Sequence, residues 1–180
     1  MSNIFKKNWQ LACHESDLPE IGDYITYDML GERALLVRGQ DKQIRAFHNL
    51  CRHRGSRLVV GESGNCKNVI TCPFHAWVYN LDGTLRGPSR SETFPSIDRN
   101  EWGLKPIELD KFMGFYFVRF QPSNYPKASD ILERHKDKFK LYDTDNIISA
   151  SKISLSESLP INWKTVRDVD NEGYHVAQAH

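Results

Sequence analysis

No apolar run in this 180-residue chain is long enough to span a bilayer, and residues 1–10 lack the apolar centre of a signal peptide. The expectation is a cytoplasmic protein with no membrane contact. Charge of one sign is also scarce: 24 Lys and Arg against 23 Asp and Glu leave a formal net charge of +1, with no basic tract. Nucleic acid is therefore not an expected partner. Cysteine is sparse, at four residues, and a reducing compartment argues against pairing them as disulfides. No internal repeat or low-complexity segment is visible. What is present is ordinary for a globular protein, 39% hydrophobic and 26% charged residues, with enough length for one domain and part of another.

The first two thirds read as short strands divided by turns. Tyr24–Tyr27, Ala34–Val37, Ile44–Phe47, Val69–Thr71, Trp77–Tyr79, Leu104–Leu109 and Phe115–Phe120 are the predicted strands, with turn signals at Gly31 and Gly39–Lys42. Leu81-Asp82-Gly83-Thr84 is a strong hairpin turn. Strands of this length and spacing predict a mainly β fold, a small antiparallel barrel or sandwich. The character shifts after Gln121-Pro122-Ser123-Asn124. An amphipathic helix is predicted over 128–142, a strand over 147–159, and a helix start at Pro160-Ile161-Asn162 with Asn162 as N-cap. The expected division is 1–122, a first domain with its lead-in, and 123–180, the start of an α+β second domain.

Two Cys–His pairs carry the chemistry. Cys51-Arg52-His53 and Cys72-Pro73-Phe74-His75 stand 18 residues apart, counted between His53 and Cys72. Each follows a strand and enters a tight loop containing Gly55 or Pro73. Two loops at the tip of a sheet can offer two thiolates and two imidazoles to one site. In a Rieske [2Fe–2S] centre the two cysteines bind one iron and the two histidines the other, which raises the potential above that of an all-cysteine cluster. A structural zinc site is the competing reading, but its paired ligands normally stand about two to four residues apart. Cys51 and His53 have one residue between them. Chance placement of four structural residues is the third reading. Cys13 and Cys66 lack a histidine at ligand spacing and read as ordinary thiols.

Residues 51–87, CRHRGSRLVVGESGNCKNVITCPFHAWVYNLDGTLRG, resemble the Rieske domain of ring-hydroxylating oxygenase α subunits. The shared features are C-x-H-R-G, then C-P-[FY]-H-x-W, then a turn with D-G. Ala76 departs from the glycine most members have. Respiratory Rieske proteins carry an extra cysteine in each loop, joined as a disulfide; those positions look like Ser56 and Phe74 here. The resemblance therefore implies a low-potential cluster, suited to electrons that originate from NADH.

A second metal motif closes the chain. His175 and His180 stand five residues apart behind several carboxylates. On a regular helix that spacing turns the side chains by about 140°, so one ion could take both only if the helix ends or distorts, for example at Gly173. Taken alone, a polar helix with surface histidines explains them equally well. Beside the first motif, N-W-K followed by [DE]-x-x-Y-H-x-x-x-x-H resembles the mononuclear iron motif of the same oxygenases, with His175 and His180 at the ligand positions. Two histidines and one carboxylate leave positions open on ferrous iron for dioxygen and substrate. The third ligand in the family lies further downstream, so the chain is expected to be the N-terminal part of a longer protein. Glu172 matches a bridging carboxylate, usually aspartate, that links a Rieske histidine of one subunit to an iron ligand of its neighbour. By resemblance it would join His175 to His75 of an adjacent chain. Some members acting on quaternary amines carry glutamate here. Asp168 reads as a further such carboxylate or a solvated one, and Asp170 as a surface charge.

The remaining readings are plainer. Trp77 is expected to pack over the cluster, with tuning of it as the alternative; Arg52, Arg54 and Arg57 either steer an acidic electron donor or are solvated; His14, His48 and His135 are structural or surface residues. The expected whole is a terminal oxygenase component, a mono- or dioxygenase with a [2Fe–2S] cluster and mononuclear Fe(II). A reductase, directly or through a ferredoxin, would feed it from NAD(P)H. It would act with O2 on a small organic substrate, by ring hydroxylation or oxidative demethylation, as a homotrimer or an α3β3 assembly. The alternative is a Rieske ferredoxin that only carries electrons. Such carriers end soon after the barrel, and this chain continues for about sixty residues into the second motif.

Overall fold

A computed structural model describes residues 2–94, 97–99, 101–148, 160–171 and 173. A short helix α1 (Ser2–Phe5) leads into ten strands: β1 (Gln10–His14), β2 (Asp23–Met29), β3 (Glu32–Arg38), β4 (Ile44–His48), β5 (Ser63–Asn65), β6 (Val69–Thr71), β7 (Val78–Asn80), β8 (Leu85–Gly87), β9 (Glu108–Phe112) and β10 (Phe115–Arg119). Helix α2 (Ala128–Glu133) and helix α3 (Trp163–Asn171) follow. The strands form three antiparallel sheets, β1-β10-β9, β4-β3-β2-β5 and β6-β7-β8. The predicted mainly β antiparallel fold is the observed one.

Strand periodicity explains where the core lies. Successive side chains of a strand point to opposite faces, and β3 is buried on both. Leu35 and Val37 face one core with Cys51, Cys72, Trp77 and Tyr79. Ala34 and Leu36 face a second core with Leu18, Ile107 and Val118. The residues of the first Cys–His pair thus stand beside a packed wall, and the wall belongs to the sheet's central strands.

Turn chemistry closes the hairpins. At β7–β8 the Asn80 amide donates to Thr84 O (2.9 Å), the Gly83 amide to Asn80 O (3.0 Å), and Asp82 Oδ1 accepts from the Thr84 amide and hydroxyl. Gly83 has φ +88°, and a Cβ there would lie 2.4 Å from the Phe47 ring, so only glycine fits.

Two predicted elements differ. The strand expected over Leu104–Leu109 begins at Glu108 instead. Pro106 has no amide to give a ladder, and it makes only an isolated bridge to Phe47 while Leu104 and Ile107 fill the two cores. The helix expected over 128–142 stops at Glu133 and resumes only as a 3-10 turn, Lys136–Phe139. Its second half has little to bury: Leu141 is 93% exposed. Strands β1, β5 and β8 carry too little alternation to be seen in the sequence.

The chain divides into two compact units, Met1–Ser149 and Ala150–His180. Packing within the first continues past the compositional shift near residue 122. Ser129 N donates to Asp110 Oδ2 (2.8 Å), Trp9 Nε1 to Pro126 O (2.9 Å), and His14 Nε2 to Thr144 O (2.9 Å). In the second unit α3 is capped as predicted: Asn162 Oδ1 accepts from Lys164 N at 3.0 Å. The strand expected over 147–159 lies almost wholly outside the described residues. Among the described residues no helix is long and apolar enough to cross a membrane.

Candidate metal centre

The two Cys–His loops have the same backbone design. Gly55 N donates to Cys51 O (2.9 Å) and Cys51 N to Ser56 O (2.7 Å). Ala76 N donates to Cys72 O (3.0 Å) and Cys72 N to Trp77 O (2.8 Å). Each loop reverses through a residue of positive φ, Gly55 at +69° and Ala76 at +51°. The departure at Ala76 therefore falls on a backbone position that favours glycine.

Asn49 anchors the first loop. Its side chain is fully buried; Oδ1 accepts from Leu58 N and Val59 N (both 3.1 Å) and Nδ2 donates to Val59 O (2.8 Å). The stretch after the loop is thereby tied to the residue before Leu50 and Cys51. The second loop is held at its end, where Ser89 Oγ donates to His75 O (2.5 Å).

The four side chains are seen as two pairs, one of cysteines and one of histidines. Cys51 and Cys72 are buried thiols of one core cluster, and neither is in a disulfide. Burial pushes the Cys51 thiol above its ordinary pKa, while the Tyr79 hydroxyl and the His53 amide oppose that shift. The rings of His53 and His75 lie 4.7 Å apart, edge to face. Desolvation, then the charges of His75 and Arg54, lower the His53 pKa and favour the neutral imidazole that a metal binds. His53 Nδ1 is buried with no hydrogen-bond partner. An orphaned ring nitrogen, a second imidazole and two buried thiols are donors of the kinds that a [2Fe–2S] cluster of this type takes. Among the described residues no three His, Cys, Asp or Glu side chains converge as a single-ion site. A binuclear cluster instead takes its protein ligands two per iron.

Tyr79 is a functional residue the sequence reading passed over. It is fully buried, its OH accepts from Arg52 N (3.0 Å), and it lies 3.3 Å from Cys51 Sγ. Toward a cysteine held as a thiolate ligand, the hydroxyl is the only possible donor of the pair. Burial is the main cause that raises its own pKa. The signal in the sequence was only its place on β7, one residue past Val78.

The arginines differ from one another. Arg57 is paired with Asp28 (2.7 Å), Arg52 sits over the Trp102 ring (5.8 Å) with its Nε buried and unpartnered, and Arg54 is exposed. Trp77 is buried against His53, as its packing reading expects. Cys13 is buried in the second core; Cys66 is half-buried, its thiol pushed up to about 11 by burial. His14 is buried, His48 faces Glu32 (3.8 Å) and His135 is exposed. Asp168 and Asp170 are exposed on α3. Glu172, His175 and His180 lie outside the described residues.

Comparison with known proteins shows the family. The family model of the Rieske [2Fe–2S] domain matches residues 8–98, half of the chain, and the chain belongs to that family. The carnitine monooxygenase oxygenase subunit of Escherichia coli (strain K12) is 38% identical over 180 residues, 99% of this chain and 47% of that protein. The glycine betaine monooxygenase oxygenase subunit of Pseudomonas aeruginosa (strain UCBPP-PA14) is 36% identical over 180 residues, all of this chain and 41% of that protein. Among solved structures, the quaternary ammonium Rieske monooxygenase CntA in complex with L-carnitine superposes with a TM-score of 0.86. It is 34% identical, over 98% of this chain and 49% of that one. The chain spans about half the length of the curated relatives it matches.

Proposed function

We propose that the chain is the N-terminal part of a Rieske oxygenase component acting on a small quaternary ammonium compound. The observation that carries this reading is the extent of the similarity. It covers 180 residues of oxygenase subunits and runs well past the Rieske domain at 8–98. A Rieske ferredoxin, the alternative, accounts for the first match and not for the second. The substrate class rests on the two relatives named for carnitine and glycine betaine, and on glutamate at position 172.

In this reading Cys51, His53, Cys72 and His75 hold the [2Fe–2S] cluster, and His175 and His180 hold mononuclear iron. When bound, the two centres supply one-electron transfer and the activation of dioxygen for hydroxylation or oxidative demethylation. The chain's own residues supply placement. Tyr79 orients a hydrogen bond onto Cys51, Asn49 fixes the first loop, and the apolar wall of Leu35 and Val37 keeps water from the thiols. Glu172 accepts from His175 and from His75 of a neighbouring copy, which requires a cyclic assembly such as a trimer. Residues 1–122 form the Rieske domain with its lead-in and 123–180 open the catalytic domain. A separate reductase supplies the electrons.

Metal analysis of the full-length protein tests the reading. About three irons with two labile sulfides per chain support it, and about two irons support the carrier. Oxygen uptake coupled to NADH with carnitine or glycine betaine tests the substrate class. Iron content of about three with no uptake on either compound removes the class and leaves the oxygenase.

A further inference from the structure

Each histidine of the centre has its own aromatic neighbour. His75 lies against Phe74, ring centroids 3.9 Å apart. His53 stacks parallel on Trp77, with an interplanar angle of 0° and centroids 5.1 Å apart. Trp77 is 1% exposed, and its ring is 5.7 Å from Trp102, which is 37% exposed. The Arg52 guanidinium sits 5.8 Å over the Trp102 ring. A packed line of π systems therefore runs from His53 through the core to the surface.

We propose that Trp102 and Trp77 are the electron inlet of this domain. A one-electron donor protein carrying a flavin or an iron–sulfur group docks over Trp102, and its electron tunnels through the two indoles to His53. This rests on the cluster reading above, in which His75 faces the neighbouring copy and is the outlet. The donor loses one electron and the cluster gains it. No bond forms or breaks, and neither indole changes oxidation state; they are the medium.

Three features favour a path over packing alone. Tunnelling falls steeply with the gaps between groups, and here each gap is a ring contact. Trp77 is buried in ring contact with His53, so no water-filled gap interrupts the line there. Trp and Arg are the side chains that most often dominate docking surfaces, and Trp102 with Arg52 places one of each at the outer end of the line. Asp98 and Glu101 precede Trp102 in the chain, so the docking face carries both signs of charge and suits a donor surface of mixed charge.

The test injects an electron at the outer end. In the full-length, cluster-loaded protein with Cys66→Ser, a Glu101→Cys thiol is labelled with a ruthenium polypyridyl photoreductant, and a laser flash starts the transfer. Trp102→Leu is expected to slow reduction of the cluster on the order of tenfold, about 1.4 kcal/mol of barrier. Its midpoint potential and EPR spectrum should stay unchanged. Trp77→Leu is expected to slow it as well; Trp102, being a surface residue, decides the matter where the core variant does not fold. An unchanged rate in Trp102→Leu overturns the inlet, as does a slower rate accompanied by a shifted potential, which would mean a changed driving force. A parent protein with no cluster spectrum overturns the ligand reading beneath it instead.

Discussion

Gly55 and Ala76 are structural equivalents: each donates its amide to the carbonyl of the cysteine four residues earlier, and each does so at positive φ. Glycine adopts that conformation without penalty, whereas an L side chain is strained there by roughly 1–2 kcal/mol. Glycine gives back part of the difference through its freer unfolded chain. Ala76→Gly is therefore expected to stabilise the protein by about 0.5–1 kcal/mol. Gly55→Ala should destabilise it by a similar amount, since nothing lies within 4 Å of a Cβ there and only the backbone objects. Denaturant unfolding of the two cluster-loaded variants checks this. Loss of stability in Ala76→Gly would mean that its methyl group makes a contact worth more than the strain.

Tyr79 and Cys51 give the second prediction. The Tyr79 oxygen accepts the Arg52 amide and lies 3.3 Å from Cys51 Sγ; when Cys51 is a thiolate ligand, the hydroxyl is the donor. A donor to a ligand sulfur stabilises the added negative charge of the reduced cluster and raises its potential. Tyr79→Phe keeps the packing and removes the donor. Its midpoint potential is expected to fall on the order of 60 mV, about 1.4 kcal/mol for a one-electron couple. Redox titration followed by EPR would show it, and an unchanged potential would mean that the bond is absent from the loaded protein.

The sequence made the strands of the double-faced sheet legible because their apolar runs are dense. β3, buried on both faces, reads as a continuous run from Ala34 to Val37. The Cys–His pairs were legible because metal ligands need specific side chains at specific spacing. Asn49 and Tyr79 were not, since a buried asparagine or tyrosine looks like any other until the fold supplies its partners. Pro106 was visible, but its effect on the register of β9 depended on Phe47, more than fifty residues earlier in the chain.

Asn49 carries a third prediction. Its side chain satisfies two amides and one carbonyl from Leu58 and Val59 at a fully buried position. Asn49→Ala leaves those groups without partners, and each buried unpaired group costs roughly 1–3 kcal/mol, with some relief where water enters. A loss of about 3 kcal/mol in unfolding free energy is expected. Faster loss of the cluster on dilution should accompany it, because residues 57–59 close the first loop. An unfolding midpoint equal to the parent's would show that the loop is held by other contacts.

The fourth prediction concerns acid. Asp41 and Asp82 both have folded pKa values below the ordinary carboxylate range. The Arg45 guanidinium holds Asp41 down through bonds of 2.9 and 2.6 Å, with the Gln43 amide second; the Thr84 hydroxyl and amide hold Asp82 down. A group lowered on folding stabilises the native state above its unfolded value, about 3.9 for aspartate. That contribution is lost as pH falls through the folded value, because the native state must then take up a proton at a group bonded in its charged form. Both carboxylates are exposed, so screening keeps each effect small. Asp82→Asn removes one of them and also weakens the β7–β8 turn. The variant is therefore expected to be less stable than the parent near pH 7 and to lose less stability than the parent between pH ~4 and ~2. Unfolding curves at both ends of that window measure the difference; parallel losses in parent and variant would show that Asp82 has the same pKa folded and unfolded.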